Sequence, residues 1–237
     1  MSLKLIGFDV DGVLVDSFPD QFNYFQKCCK ALGKKFEFND LEEFRTAYTE
    51  PVYPNMYTLL GFNWDAEKDE IWKIYNEHKA NSKIFFVPEM KPLVLELDLL
   101  KPQLSIATTN TKKAIDKYLT ENDVANIFYP VITKEDVPLD ENKNPKLKPC
   151  PDCLVVMLSK ANVSSENAVY IGDQVTDIEA CKRVKDVLGM PLRVIAYAGP
   201  SSFSTLEKLT AANPDYIAKT PGELAKILKG LVWIISS

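Results

Sequence analysis

Short apolar runs that stop abruptly at carboxylate, glycine or hydroxyl residues recur along this chain, and they restrict its fold more than any other feature. Leu3–Phe8 ends in Asp9-Val10-Asp11-Gly12, Leu104–Ala107 in Thr108-Thr109-Asn110, and Ala168–Ile171 in Gly172-Asp173. Arg193–Ala196 leads to Tyr197-Ala198-Gly199-Pro200, and Asp215–Ala218 to Lys219-Thr220-Pro221-Gly222. A short, nearly continuous apolar run reads as a strand buried on both faces, as parallel sheets require. Between the runs lie helical patterns: Leu93, Val94, Leu97 and Leu100 within Met90–Leu100, and Ile115, Tyr118 and Leu119 within Lys112–Asn122. Pro151–Lys160 starts with proline at the first helical position; Pro221 does the same with a capping-box Glu223 beside it. Strands alternating with helices imply right-handed βαβ units, and so an α/β fold with a doubly wound parallel sheet and a Rossmann-like core.

One stretch breaks the alternation. From Asp16 to about Pro88 the chain shows helix-like segments at Phe18–Leu32, Leu41–Tyr48, Tyr53–Leu60 and Ala66–Ala80, without a convincing parallel strand. Its aromatic residues, among them Phe18, Phe22, Tyr24, Phe25, Phe44, Tyr48, Tyr57 and Trp64, are those of a small helical core. The expected division is an α/β core of residues 1–15 and 89–237 with an inserted helical cap of residues 16–88. Lys134–Leu147, polar and rich in Asp, Asn and Pro, reads as a long loop.

Composition removes several function classes. The net charge of −5 and pI near 5.1 argue against a nucleic-acid binder, so a phosphate-bearing ligand has to be held by local cations. No apolar run approaches the ~18 residues that span a bilayer. The first residues lack a signal peptide's apolar stretch, and five unevenly spaced cysteines do not form a secreted disulfide framework, so the cytoplasm is the expected compartment.

In an open parallel sheet, ligands bind beyond the carboxyl ends of the strands. The polar residues at those ends are Asp9, Asp11, Thr109, Asn110 and Asp173, with Asp177 one helical turn on. A single aspartate there is an ordinary cap or turn residue. Several crowded together repel one another and raise each other's pKa. A hard divalent cation with oxygen ligands relieves that repulsion, and Mg²⁺ commonly takes one or two carboxylates plus a substrate phosphate.

With these motifs in view, the sequence resembles the haloacid dehalogenase superfamily, in its phosphatase branch with a small helical cap. Asp9-Val10-Asp11-Gly12-Val13-Leu14-Val15-Asp16-Ser17 is similar to that family's first motif, and Ile106-Ala107-Thr108-Thr109-Asn110 to its second. Lys148-Pro149-Cys150-Pro151-Asp152 resembles the third, and Gly172-Asp173-Gln174-Val175-Thr176-Asp177 the fourth. The resemblance implies an aspartyl-phosphate mechanism. Asp9 would be the nucleophile, and Asp11 the group that protonates the leaving oxygen and then activates water. Thr109, Asn110 and Lys148 would contact the phosphoryl group. Mg²⁺ would sit on Asp9, Asp173 and the Asp11 backbone carbonyl, with Asp177 behind them.

Asp11 separates readings inside the family. A halide leaving group needs no proton, so a carboxylate two residues after the nucleophile favours phosphoryl chemistry. A phosphomutase of the β-phosphoglucomutase type is the alternative, and a non-catalytic phospho-acceptor module a distant third. The implied partner is a small phosphorylated metabolite, with neither nucleic acid nor membrane, and the monomer or homodimer state is left open. Within the cap, Arg45–Asn55 lies between two helical patterns and is stiffened by two prolines. Arg45 is the candidate for a substrate carboxylate or second phosphate, and Tyr53 and Asn55 for hydrogen bonds to a polyol or sugar. Cys150 and Cys153 read as fillers, with redox modulation of Lys148 a remote option. His78 reads as exposed, and Leu231–Ile235 as packing on its own core, with a dimer contact the sharper alternative.

Overall fold

The computed structural model describes residues 3–49, 52–100 and 102–233. Among the described residues its main sheet has six parallel strands, β1 (Leu5–Phe8), β4 (Gln103–Ala107), β5 (Phe128–Ile132), β6 (Ala168–Gly172), β7 (Arg193–Tyr197) and β8 (Tyr216–Ala218). Their order across the sheet is β5-β4-β1-β6-β7-β8. From β1 the chain winds outward through β4 to β5, then crosses back to β6 on the other side of β1. Ligand crevices form at such switch points.

Side-chain alternation divides the core into two layers. Ile6, Phe8, Leu104, Ile106, Val169 and Ile171 point to one face, covered by α5 (Met90–Asp98), α6 (Lys112–Glu121) and α10 (Pro221–Trp233). Leu5, Ala168, Tyr170, Val194 and Ala196 point to the other, covered by α7 (Asp152–Ala161), α8 (Val175–Leu188) and α9 (Leu206–Ala211). Leu231 is buried in the first layer and Val232 packs against it, the plainer of the two readings of this terminal segment. Ile234 and Ile235 lie outside the described residues.

The helical stretch has its own apolar centre. Helices α1 (Phe18–Ala31), α2 (Leu41–Ala47), α3 (Val52–Leu59) and α4 (Trp64–Asn81) enclose Phe18, Phe25, Phe44, Tyr57 and Ile71. Phe44 stands at its middle, with the rings of Phe18, Phe25 and Phe38 at 5.4, 5.8 and 5.4 Å. Where the chain enters and leaves this unit, β2 (Val15–Asp16) pairs antiparallel with β3 (Phe85–Phe86). Among the described residues no helix is long and apolar enough to cross a membrane.

Within the six-stranded sheet, β5 is the strand that periodicity misses. Pro130 interrupts its run, and proline is tolerated there because β5 is an edge strand. His78 is another correction. It is half-buried, with Nε2 2.9 Å from Asp20 Oδ1, rather than simply exposed.

Candidate active site

Strand register assembles the site. Phe8 is paired with Ile106 on one side and Ile171 on the other, so Asp9, Thr108 and Asp173 leave three adjacent strands at nearly one level. The ladder extends one step further, because Asp9 N–H donates to Ile171 O at 2.8 Å and Thr108 N–H to Ile132 O at 3.0 Å. The turn after β1 then needs glycine. Gly12 has φ +74°, and a Cβ there would overlap the Asp173 carboxylate. Gly172 has the same role toward Asp177, whose Cβ occupies the space a side chain would need.

Asp9, Asp173 and Asp177 are buried, and each offers a carboxylate oxygen within 4.8 Å of the others. Val10 N–H donates to Asp9 Oδ1 at 2.8 Å. Lys148, only 8% exposed, brings its ammonium to 2.9 Å from Asp9 Oδ2 and 2.5 Å from Asp177 Oδ1. Its third donor points at the Tyr170 hydroxyl, 3.0 Å away, and that hydroxyl donates to Ala107 O at 2.6 Å. The three ammonium hydrogens therefore have three acceptors. Asp177 Oδ2 accepts from Asp173 N–H (3.1 Å) and Gln174 N–H (3.0 Å), closing the first turn of α8. With Oδ1 on Lys148 and Oδ2 on two backbone amides, Asp177 holds the site's parts in place.

The electrostatics follow from burial. Loss of water pushes the Asp9 carboxyl above the ordinary range; Lys148 opposes this and Asp177 adds to it. Burial alone would depress the Lys148 ammonium, but Asp177 and Asp9 together hold it well above its usual value. The two shifts favour opposite outcomes for one ion pair, and geometry decides. Lys148 stays charged with Asp177 as its nearer partner, so of these two carboxylates Asp9 is the one whose burial is less compensated. One ammonium among three carboxylates leaves two negative charges over. An all-oxygen, doubly negative donor set suits a hard divalent cation such as Mg²⁺.

Asp11 is half-buried at the edge of this cluster. Ser17 Oγ donates to its Oδ1 and Asn110 Nδ2 to its Oδ2. Asn110 is therefore where the sequence expects it. Thr109 is not: its side chain is exposed, whereas Thr108 is buried and its hydroxyl accepts from Asn110 N–H at 3.3 Å. Strand β4 ends at Ala107, and Thr108 keeps the ladder bond to Ile132, so the inward position falls one residue before the expected threonine.

The cap candidates fare unevenly. Arg45 stacks 4.4 Å above the Phe18 ring, donates to Pro200 O at 3.0 Å and lies 3.4 Å from Glu42, which makes it a link between cap and core. Asn55 is exposed on α3, and the side chain of Tyr53 lies outside the described residues, as do Glu50 and Pro51 of the same segment. The Cys153 thiol is buried and pushed up to about 12 by loss of water, against the activation that a helix start would give. Among the described residues the metal-type cluster contains no cysteine.

Sequence reasoning did not single out Tyr170, Thr108 or Phe203. A tyrosine inside the apolar run Ala168–Ile171 is itself a signal, because a buried hydroxyl needs a partner. Phe203, in the loop after β7, donates its N–H to Asp173 Oδ2 at 2.6 Å while its ring belongs to the apolar centre of the cap.

This arrangement can be set beside known proteins. The family model described as haloacid dehalogenase-like hydrolase matches residues 6–186. The chain belongs to the haloacid dehalogenase-like hydrolases. It is similar to the phosphoglycolate phosphatase of Vibrio cholerae serotype O1, with 23% identity over 96% of this chain and 97% of the relative. It is also similar to the pyrophosphatase PpaX of Bacillus velezensis, with 26% identity over 93% and 94% of the two chains. A hydrolase of the same family from Streptococcus pneumoniae shares its fold, with a TM-score of 0.74 at 23% identity over 95% of this chain and 98% of the other. As a member of this family the protein is a hydrolase of the phosphatase type, with an α/β core and a helical cap.

Proposed function

We propose that this protein is a Mg²⁺-dependent phosphomonoester hydrolase acting on a small phosphorylated metabolite through an aspartyl-phosphate on Asp9. The observation that carries the reading is the buried Asp9 carboxylate at the end of β1, paired with Lys148 and grouped with Asp173 and Asp177. Names of relatives such as phosphoglycolate phosphatase support a small anionic substrate.

In this reading an Asp9 carboxylate oxygen attacks phosphorus while the bond to the leaving oxygen breaks. Asp11, protonated at that step, gives its proton to the leaving oxygen. A water then attacks the phosphorus of the aspartyl-phosphate, Asp11 takes its proton, and Asp9 returns as a carboxylate with release of inorganic phosphate. Lys148 neutralises charge on the phosphoryl oxygens, and the Thr108 hydroxyl and Asn110 amide orient them. Thr108 thus takes the role expected of Thr109. Asp9, Asp173 and the Asp11 carbonyl are the ligands we assign to the cation, and Asp177 supports them through the Asp173 amide and Lys148. The chemistry supplied by Mg²⁺ there is neutralisation of the carboxylates and of the incoming phosphate.

We assign residues 16–88 to a cap that covers the cleft, excludes water and reads the leaving group. Arg45 is assigned to docking this cap on the core, leaving the α3 face with Asn55 as the substrate-reading candidate. The test is Mg²⁺-dependent phosphate release from a panel of small phosphomonoesters, with Asp9→Asn as the control. Turnover should stop in chelator and in Asp9→Asn. If Asp9→Asn kept a tenth of wild-type activity, about 1.4 kcal/mol of barrier, Asp9 would not be the nucleophile.

A further inference from the structure

Between β7 and α9, residues 199–205 form a loop with two sets of attachments. On its inner side it grips Asp173, which is assigned to the metal, and Gly12, the residue after Asp11. Ser201 Oγ donates to Gly12 O at 2.8 Å, and Ser202 Oγ lies 3.2 Å from Asp173 O. Phe203 N–H is 2.6 Å from Asp173 Oδ2, the shortest of these contacts and one made to the carboxylate itself. On its outer side the same loop is held by the cap. The Phe203 ring is edge-on to Phe18 at 4.9 Å and to Tyr48 at 5.4 Å. Pro200 O accepts from Arg45, and Lys208, just beyond the loop, donates to Thr46 O and Tyr48 O, each at 2.9 Å. Among the described residues, every member of the cap's apolar cluster comes from residues 18–75 except Phe203.

We propose that Phe203 is a positioning residue for metal binding: its ring, anchored in the cap, holds its amide against the Asp173 carboxylate and so ties the metal site to the placement of the cap. The physical chain is short. A carboxylate that is to take a cation must present one oxygen outward, and the amide fixes the other oxygen and with it the plane of the group. The amide belongs to a loop without a ladder of its own, and the loop's position depends on what its largest side chain packs against. That side chain packs against Phe18, at the start of α1, and Tyr48, at the end of α2. Movement of the cap therefore moves the amide. Because such coupling is reciprocal, a ligand that draws Tyr48 and Phe18 into place tightens the site for its cation, and the cation favours that cap position in return.

The inference rests on the metal reading above, and its test separates the two. Mg²⁺ binding is measured by calorimetry on the whole chain without substrate, for wild type, Phe203→Ala, Phe203→Leu and Phe62→Ala. Phe62 is a comparator in the same apolar cluster, packed on Tyr57 at 5.7 Å. Both Phe203 variants should bind Mg²⁺ more weakly, Phe203→Ala by roughly tenfold or more, as loss of a ligand's supporting partner does. Phe62→Ala should lose stability but keep the wild-type Mg²⁺ affinity. Should Phe203→Ala fail to fold, Phe203→Leu carries the test, because leucine retains most of the apolar volume. Phe203 variants within twofold of wild type, or an equal loss in Phe62→Ala, overturn the proposal and leave the metal reading standing. A wild type that does not bind Mg²⁺ overturns both.

Discussion

Replacing Lys148 with methionine tests the electrostatic core of the site most directly. Methionine keeps most of the stem and removes the charge, so Asp9 and Asp177 are left buried without the ammonium now 2.9 and 2.5 Å from them. Removing one partner of a buried ion pair costs about 3–5 kcal/mol. The lower end applies here, for two reasons. Asp177 Oδ2 keeps its two amide donors, and Asp9, already raised by burial, can take up a proton. The Tyr170 hydroxyl also loses an N–H donor but keeps Ala107 O as its acceptor. A loss of about 3 kcal/mol corresponds to a fall in Tm of roughly 6–12 °C for a chain of this size. The assay is thermal and urea unfolding followed by circular dichroism, in chelator so that no cation substitutes for the missing charge. Added Mg²⁺ should recover part of the stability. Turnover of a small phosphomonoester at saturating Mg²⁺ should fall by ~10²-fold or more, the usual effect of removing one transition-state charge partner. Lys148→Arg should not rescue it, because a planar fork cannot meet three converging acceptors as an ammonium does. A methionine variant within about 0.5 kcal/mol of wild type in chelator, the range of an inert surface change, would refute the reasoning.

Two further outcomes follow from local geometry. Burial alone would raise the Asp20 carboxyl, but Lys79, Ser82 and His78 more than offset it, and Asp20 titrates below its ordinary value. A depressed folded-state pKa contributes stability above the unfolded value near 4 and loses it as pH falls further. Urea unfolding of Asp20→Asn should thus show a deficit on the order of 1 kcal/mol at neutral pH that shrinks below about pH 4; a pH-independent deficit would count against the ion pair. Gly12→Ala forces a side chain onto φ +74° and into the Asp173 carboxylate, so the Mg²⁺ concentration for half-maximal activity should rise by at least tenfold. An unchanged Mg²⁺ requirement would mean that Asp173 is free to move aside.

Much of this architecture is legible in the sequence because its signals are local. A strand buried on both faces announces itself as a continuous apolar run, and a helix start by its proline or capping residue. The four helices described in the insertion fall within a few residues of their periodic patterns, from α1 at Phe18–Ala31 to α4 at Trp64–Asn81. Strand β5 is hidden because an edge strand tolerates Pro130 and an exposed Tyr129, which erase the run. Ribbon β2–β3 is hidden because each strand has two residues, too few to show any period.

The site was legible to the level of strand ends, and less so at the level of single side chains. Strand ends bring Asp9, Asp11, Asn110 and Asp173 together, as parallel topology requires, because register is shared along the sheet. Which of two adjacent threonines points inward depends on where the last ladder bond falls, and Thr108 N–H to Ile132 O settles that in three dimensions only. Lys148 shows the other limit. Its sequence context is a polar loop with Lys143 and Lys146 close by; the Lys148-Pro149-Cys150-Pro151 pattern sets it apart from them, but nothing local shows that its ammonium is buried while theirs are exposed. The distinction comes from Tyr170 and Asp177, 22 and 29 residues away, which supply the acceptors that make burial of a charge tolerable. Arg45 is the converse case. Its chemistry suits an anionic ligand, yet the core loop offers it a carbonyl and Phe18 a ring face, and these contacts hold the guanidinium at the joint between cap and core.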